Sequence, residues 1–232
     1  MGRIISIANM KGGTGKTTVS VMIATALSQK PFNLKTCIID LDQQKSVVGI
    51  RNLDLRAYQT DVVPFEVFDY RVADLQNNIG KLDKEFDVIF LDAAGKLDID
   101  LPIESQEITK ILMYVDSLFI PLVSGNYNLD ATIKYLEFVH QVQKIRQLQA
   151  RNLTVTGFVN MHRQRSRANQ FLVDDIETLK ESHSLKMIET ALNDYALFRE
   201  SDTITSLFDP LSNDSAKANF SAFLNEFISI IQ

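Results

Sequence analysis

The chain has 232 residues with a formal net charge of −5; 45% are hydrophobic and 23% charged. That length and balance suit one large α/β domain with a buried core, and exclude a disordered chain, a low-complexity segment or a repeat array. The lone cysteine, Cys37, excludes an internal disulfide and a cysteine-built metal or cluster site, and its apolar setting TCIID reads as a buried structural thiol. The first residues run straight into the apolar RIISIAN, without a basic region, a cleavage site or a bilayer-length apolar stretch, so the expectation is a cytoplasmic protein.

In chain order, short apolar runs alternate with amphipathic stretches, the pattern of parallel strands joined by crossover helices. Strands are predicted over 3–9, 35–40, 62–68, 86–92, 117–123 and 153–161, with a shorter one near 185–189. Helices are predicted over 16–29, about 71–82, 103–114, 128–149 and 168–182. Turn residues cluster at the joints, as in SGNYN at 124–128, and no linker divides the chain. Residues 1–232 therefore read as a single-domain α/β fold, a wound, mostly parallel sheet flanked by helices. Ligands in such folds bind where the carboxyl ends of the strands open a crevice.

The first of those ends carries ANMKGGTGKTT, residues 8–18. Gly12, Gly13 and Gly15 let backbone N–H groups turn inward, and the helix that opens at Lys16 adds its positive end, which together make a polyphosphate cradle. In such a cradle Thr14 lies within the loop, Lys16 reaches the β and γ phosphates, the Thr17 hydroxyl coordinates Mg²⁺ and Thr18 touches a more interior phosphate. The strict spacing G-x-x-x-x-G-K-[ST] is broken by Met10, and a second lysine, Lys11, follows it. The second strand ends IIDLDQQ with Asp40 and Asp42, which an extended backbone points the same way, and the fourth ends FDVIFLD at Asp92. Carboxylates at these ends suit a metal held near a phosphate. Read singly, Asp40 is also a helix cap and Asp42 a solvated turn residue.

KGGTGKTT with its extra lysine, IIDLDQQ and FLDAAG resemble the deviant Walker ATPases, the ParA and MinD superfamily, whose pattern is K-G-G-x-G-K-T-T followed by D-x-D-P-Q. The similarity covers most of the chain and is greatest to the short ParA proteins of plasmid partition, including the ParF type. It implies a P-loop NTPase fold, ATP and Mg²⁺ as cofactors, and slow, partner-stimulated hydrolysis of ATP to ADP and phosphate. It also implies an ATP-dependent homodimer in which Lys11 acts in trans on the partner's nucleotide while Lys16 acts in cis. Asp42 matches the residue that orients the attacking water, Asp40 the one near Mg²⁺ and Asp92 the Walker B residue. Asn160 lies at the end of the sixth strand and Arg163 follows it, where the family places contacts to the base. Gln43 stands in place of the usual proline, and Ala93 and Ala94 replace proline-containing switch sequences, so the pattern assigns nucleotide binding more firmly than rate.

The same resemblance implies binding of the ATP dimer to non-specific DNA, association with the nucleoid, and a ParB-type centromere-binding partner. Charge is distributed accordingly. Residues 134–167 hold seven basic residues and only Glu137 as an acid, making that segment +6 and the remainder −11. Arg163, Arg165, Arg167 and Arg199 are the candidate DNA contacts, with the edge of the ATP pocket the other assignment for the first three. At the end of the chain Phe220, Phe223, Leu224, Phe227, Ile228 and Ile231 recur at helical spacing. A membrane-seeking helix of the MinD type needs lysines and arginines on its polar face, and this one offers only Lys217 beside Glu226, so it reads as packed on the sheet. A positioning ATPase for a cargo other than DNA and a MinD-like membrane ATPase stay open as alternatives.

Overall fold

The computed structural model describes residues 2–93, 99–124, 129–163 and 168–232. Seven strands form one sheet: β1 (Arg3–Ile7), β2 (Thr36–Asp40), β3 (Glu66–Asp69), β4 (Val88–Asp92), β5 (Ser117–Val123), β6 (Thr154–Asn160) and β7 (Lys186–Met187). Their order is β3-β2-β4-β1-β5-β6-β7 and every pairing is parallel. Among the described residues eight α-helices connect or cover them: α1 (Lys16–Ser28), α2 (Ser46–Tyr58), α3 (Leu75–Glu85), α4 (Pro102–Leu112), α5 (Leu129–Leu148), α6 (Ala168–His183), α7 (Ala196–Arg199) and α8 (Ser215–Ile231).

Both faces of the sheet are buried because parallel connections leave helices on each. Period-2 alternation sorts the strand residues. Ile5, Ile7 and Ile38 pack under α1, α2, α7 and α8, while Ile4, Cys37 and Ile39 pack under α3, α4, α5 and α6. Fully burying each large apolar side chain contributes roughly 1.5–3 kcal/mol, so the two layers supply most of what opposes chain entropy. Burial also raises the Cys37 thiol pKa to about 12, which leaves it an inert core residue.

The C-terminal helix α8 is part of this core. Its N-terminus is capped by Asp214, whose Oδ1 accepts from the Ala216 and Lys217 amides, and its apolar face lies on the central strands. Phe227 meets Phe119 of β5 with ring centres 4.3 Å apart, and Phe223 meets Phe158 of β6 at 5.2 Å. Glu226 on the other side accepts the Glu189 and Thr190 amides at 2.7 and 3.1 Å. The expected helix on the sheet is the one found. Among the described residues no helix is long and apolar enough to cross a membrane.

Three elements depart from the sequence expectation, the shortest being α7, over which no helix was predicted. The third strand, expected over 62–68, is only Glu66–Asp69: Pro64 has no N–H to give a neighbour, and Val62 is 78% exposed. Helix α2 was not expected at all. It buries only Val47 and Arg51, too few apolar positions to register as a periodic face. It is started from outside, by Asp40, whose Oδ2 accepts the Val47 and Val48 amides at 3.0 and 3.1 Å.

Candidate functional site

β1 lies at the centre of the sheet between β4 and β5, so the loop that leaves it emerges beside the ends of β4 and, one strand further, β2. That loop is braced on both sides. Asn9 Nδ2 donates to the Pro121 carbonyl at 2.8 Å while its Oδ1 accepts the Lys11 amide at 3.3 Å. Asn160, at the end of β6, donates from Nδ2 to the Thr14 carbonyl at 2.8 Å. Of the three glycines, Gly13 and Gly15 have positive φ, 73° and 81°; Gly12 does not. A Cβ on Gly15 would sit 2.4 Å from Asn160 Nδ2, whereas one on Gly13 would meet nothing within 4 Å. Gly15 is therefore required by both backbone and neighbour, and Gly13 by backbone alone.

The lysine that opens α1 is folded inward. Lys16 is buried and its Nζ donates to the Lys11 carbonyl at 2.9 Å. Burial lowers its pKa to about 8, with Asp92 and Asp42 opposing that shift. Lys11 is half-buried, at the point where the loop begins. Thr17 Oγ1 donates to Asp92 Oδ2 at 2.9 Å. Thr18 lines a small cavity with Gly15, Asn160, Asp194, Phe198 and Arg199.

Asp40 and Asp92 are register partners on β2 and β4, both buried. Asp40 caps α2 through Oδ2, and its Oδ1 accepts the Asp42 amide at 3.2 Å, so its carboxylate is fully engaged by backbone. Its pKa is raised, chiefly by burial. Asp92 Oδ1, in contrast, is buried without a hydrogen-bond partner among the described residues, and burial pushes the Asp92 pKa up to about 7. Asp42 lies beyond the strand on a turn, half-buried, with its Oδ1 accepting the Gln44 amide at 2.9 Å. It lines an open cleft with Gln43, Tyr70, Glu104 and Glu107. The strand ends at Asp40, and Asp42, two residues on, still lies close enough to Lys16, Asp40 and Asp92 to act on each of them electrostatically.

These groups fit a magnesium nucleotide. In a left-handed glycine loop Gly13 faces open space, a lysine and a threonine hydroxyl begin the helix, and the carboxylate behind that hydroxyl keeps a buried oxygen with no donor among the described residues. Burial disfavours charge on both Lys16 and Asp92, and phosphate and cation are the partners that would relieve it.

The basic residues do not form one surface. Arg146 is 1% exposed and donates to the carbonyls of Leu112, Val115 and Asn152, an internal brace between α5 and the end of α4. Lys134 pairs with Asp100. Arg163 is exposed, does not line the small cavity beside the P-loop, and pairs with Asp194; Arg199 lines that cavity and pairs with the same carboxylate. Arg165 and Arg167 lie outside the described residues, as does Ala94. The roles of Asn9 and Asp194 were not foreseen: Asn9 lies within the loop stretch but had no part assigned to it, and only the fold brings Asp194 near the loop.

The description "CobQ/CobB/MinD/ParA nucleotide binding domain" matches residues 5–200. The septum site-determining protein MinD of Escherichia coli K12 is 53% identical over 55 residues, which span 24% of this chain and 18% of that protein. Among solved structures, a plasmid partition protein from Borrelia burgdorferi bound to AMPPNP superposes with a TM-score of 0.68 at 18% identity, covering 99% of each chain. The ATP complex of McdA from Cyanothece gives 0.70 at 16% identity, covering 97% of this chain and 96% of that one. Cobyrinic acid a,c-diamide synthase from Mycobacterium smegmatis, with an ATP analogue and magnesium, gives 0.65 at 15% identity over 99% and 94%. At these identities the likeness is one of fold. The match over residues 5–200, on a seven-stranded parallel sheet with a phosphate loop after β1, means that this chain belongs to the CobQ/CobB/MinD/ParA nucleotide binding domain family.

Proposed function

We propose that the protein is a ParA-type ATPase that binds Mg-ATP, dimerises on it and hydrolyses it slowly, and that the dimer binds DNA without sequence preference. With a ParB-type centromere-binding partner it would segregate a plasmid or chromosome. The observation that carries this reading is the convergence of a two-lysine phosphate loop with Asp40, Asp42 and Asp92 at the ends of adjacent strands.

Bound Mg-ATP supplies a transferable γ-phosphoryl group and a cation that screens its charge. The amides of Gly12, Gly13, Thr14 and Gly15 and the Lys16 ammonium hold the phosphates, with Thr18 at the inner one. The Thr17 hydroxyl serves the cation, with Asp92 behind it and Asp40 fixing the neighbouring strand end. Lys11 reaches the nucleotide of the second copy, and Asp42 orients the attacking water. Asn160 holds the loop beside the base, with Arg163 at its edge. Turnover is slow because no arginine is built into these motifs to offset charge in the transition state.

Sizing and DNA binding measured with ADP, ATP and a non-hydrolysable analogue test this reading. The expected result is a dimer that binds random-sequence DNA with ATP or the analogue, and a monomer that does not with ADP. A monomer whatever the nucleotide overturns it.

A further inference from the structure

Arg163 follows β6, Arg199 closes α7, and both end on Asp194. Arg163 Nε donates to Asp194 Oδ2 at 2.7 Å and Arg199 Nη1 donates to Oδ1 at 2.9 Å, so each carboxylate oxygen takes one guanidinium. The Asp194 side chain is 10% exposed, whereas those of Arg163 and Arg199 are 70% and 59% exposed. The carboxylate is also fixed by its backbone. The Asp194 N–H donates to the His162 carbonyl at 3.0 Å, and the preceding Asn193 N–H donates to Asn219 Oδ1 of α8 at 2.9 Å. The anion therefore belongs to the framework, and the two cations stand outside it.

We propose that Asp194 is a built-in counterion for a polyphosphate-binding face made by Arg163 and Arg199, and that it sets how tightly this face holds a nucleic-acid backbone. The proposal rests on the DNA-binding reading above and adds its control. A guanidinium has five N–H donors, and Asp194 engages one on each arginine, which leaves the outward donors available to phosphate oxygens. Affinity for a DNA backbone comes from cations displacing condensed counterions, so it follows the net charge brought to the phosphates. Two arginines on one carboxylate bring a net charge of about one rather than two. A fixed anion a few ångströms beneath the phosphates also repels them. Surface ion pairs are individually weak, about 0–1 kcal/mol, so the pairing does not lock the arginines away; it tunes them.

A contrasting role, in which Asp194 merely aims the arginines, predicts the opposite sign. Aiming matters where a ligand is read in one geometry, and non-specific backbone binding has no such requirement.

The test is Asp194→Asn, which keeps the shape and one acceptor oxygen while removing the charge. Binding to a short random-sequence duplex is measured against salt at saturating Mg-ATP, beside nucleotide affinity. The expected result is about tenfold tighter DNA binding at low salt and a log–log salt slope steeper by about one. Adding Arg163→Gln and Arg199→Gln to that variant removes the gain. Unchanged or weaker DNA binding by D194N, or a change confined to nucleotide affinity, overturns the counterion role while leaving DNA binding by the parent protein intact. Absence of DNA binding by parent and variant alike overturns the DNA reading as well. Should D194N not fold, Asp194→Ser takes its place: tighter DNA binding with a slope steeper by about one supports the proposal, and unchanged or weaker DNA binding overturns it.

Discussion

Asp40 and Asp92 stand side by side in register on β2 and β4, yet one is fully hydrogen-bonded and the other is not. Asp40 spends both oxygens on backbone amides, of Asp42 through Oδ1 and of Val47 and Val48 through Oδ2, while Asp92 has Thr17 on Oδ2 and, among the described residues, nothing on Oδ1. The same burial therefore has different consequences. Asp40 is a structural anchor for α2, and Asp92 is the carboxylate with unmet demand for positive charge.

That demand makes the nucleotide-free protein pH-sensitive. The folded-state pKa of Asp92, about 7, lies above its unfolded value near 3.8, so its contribution is fully present below about pH 4 and is lost as pH rises through 7. Asp92→Asn removes this dependence. Without nucleotide, the variant should gain stability relative to the parent between pH 5 and 8, by at most about 4 kcal/mol, read as a difference in denaturation midpoint. A gap that does not change with pH would mean that Asp92 is ionised at no penalty.

Lys11→Ala should leave monomeric nucleotide binding in place while removing the ATP-dependent dimer and its turnover. One charge-assisted phosphate contact is worth roughly 1.5–3 kcal/mol, and each dimer would contain two, so dimerisation should weaken by at least about 100-fold. Analytical ultracentrifugation with ATP and a phosphate-release assay read both effects.

Asp42→Ala should separate binding from chemistry. The residue sits on the turn beyond β2 and supports no strand pairing, so the fold and the ATP dimer should persist while hydrolysis falls by about 100-fold or more. Full turnover by the variant would remove Asp42 from the reaction.

Arg146→Ala should lower stability without first altering DNA affinity. The side chain donates to the buried carbonyls of Leu112 and Val115 and to that of Asn152, and truncation removes all three donors, an effect of roughly 2–4 kcal/mol. Chemical denaturation measures the loss, and DNA binding by the folded fraction should match the parent.

The phosphate loop was legible in the sequence because its physics is local: a strand, glycines, a lysine and a helix start within a dozen residues. Most strands were legible as apolar runs, and α8 as a periodic face. What escaped was held by contacts between distant parts of the chain. Helix α2 depends on Asp40 before it and on Arg51, which donates to the Phe65 carbonyl at 2.8 Å and to Thr203 Oγ1 at 2.9 Å and stacks over the Phe65 ring. A buried arginine reads as polar in any periodicity. For the same reason Arg146 was counted within a basic surface when it is a core brace, and Asp194 was passed over because its two partners come from separate segments. Charge in a sequence says nothing of which carboxylate a folded chain will bring to it.

Whether Lys11 joins two copies through the terminal phosphate would be read from a crystal structure with Mg²⁺ and a non-hydrolysable ATP analogue. The expected structure is a dimer with the Lys11 ammonium within hydrogen-bond distance of a γ-phosphate oxygen held by the partner's loop. A Lys11 side chain turned to solvent, away from any neighbouring nucleotide, would contradict it.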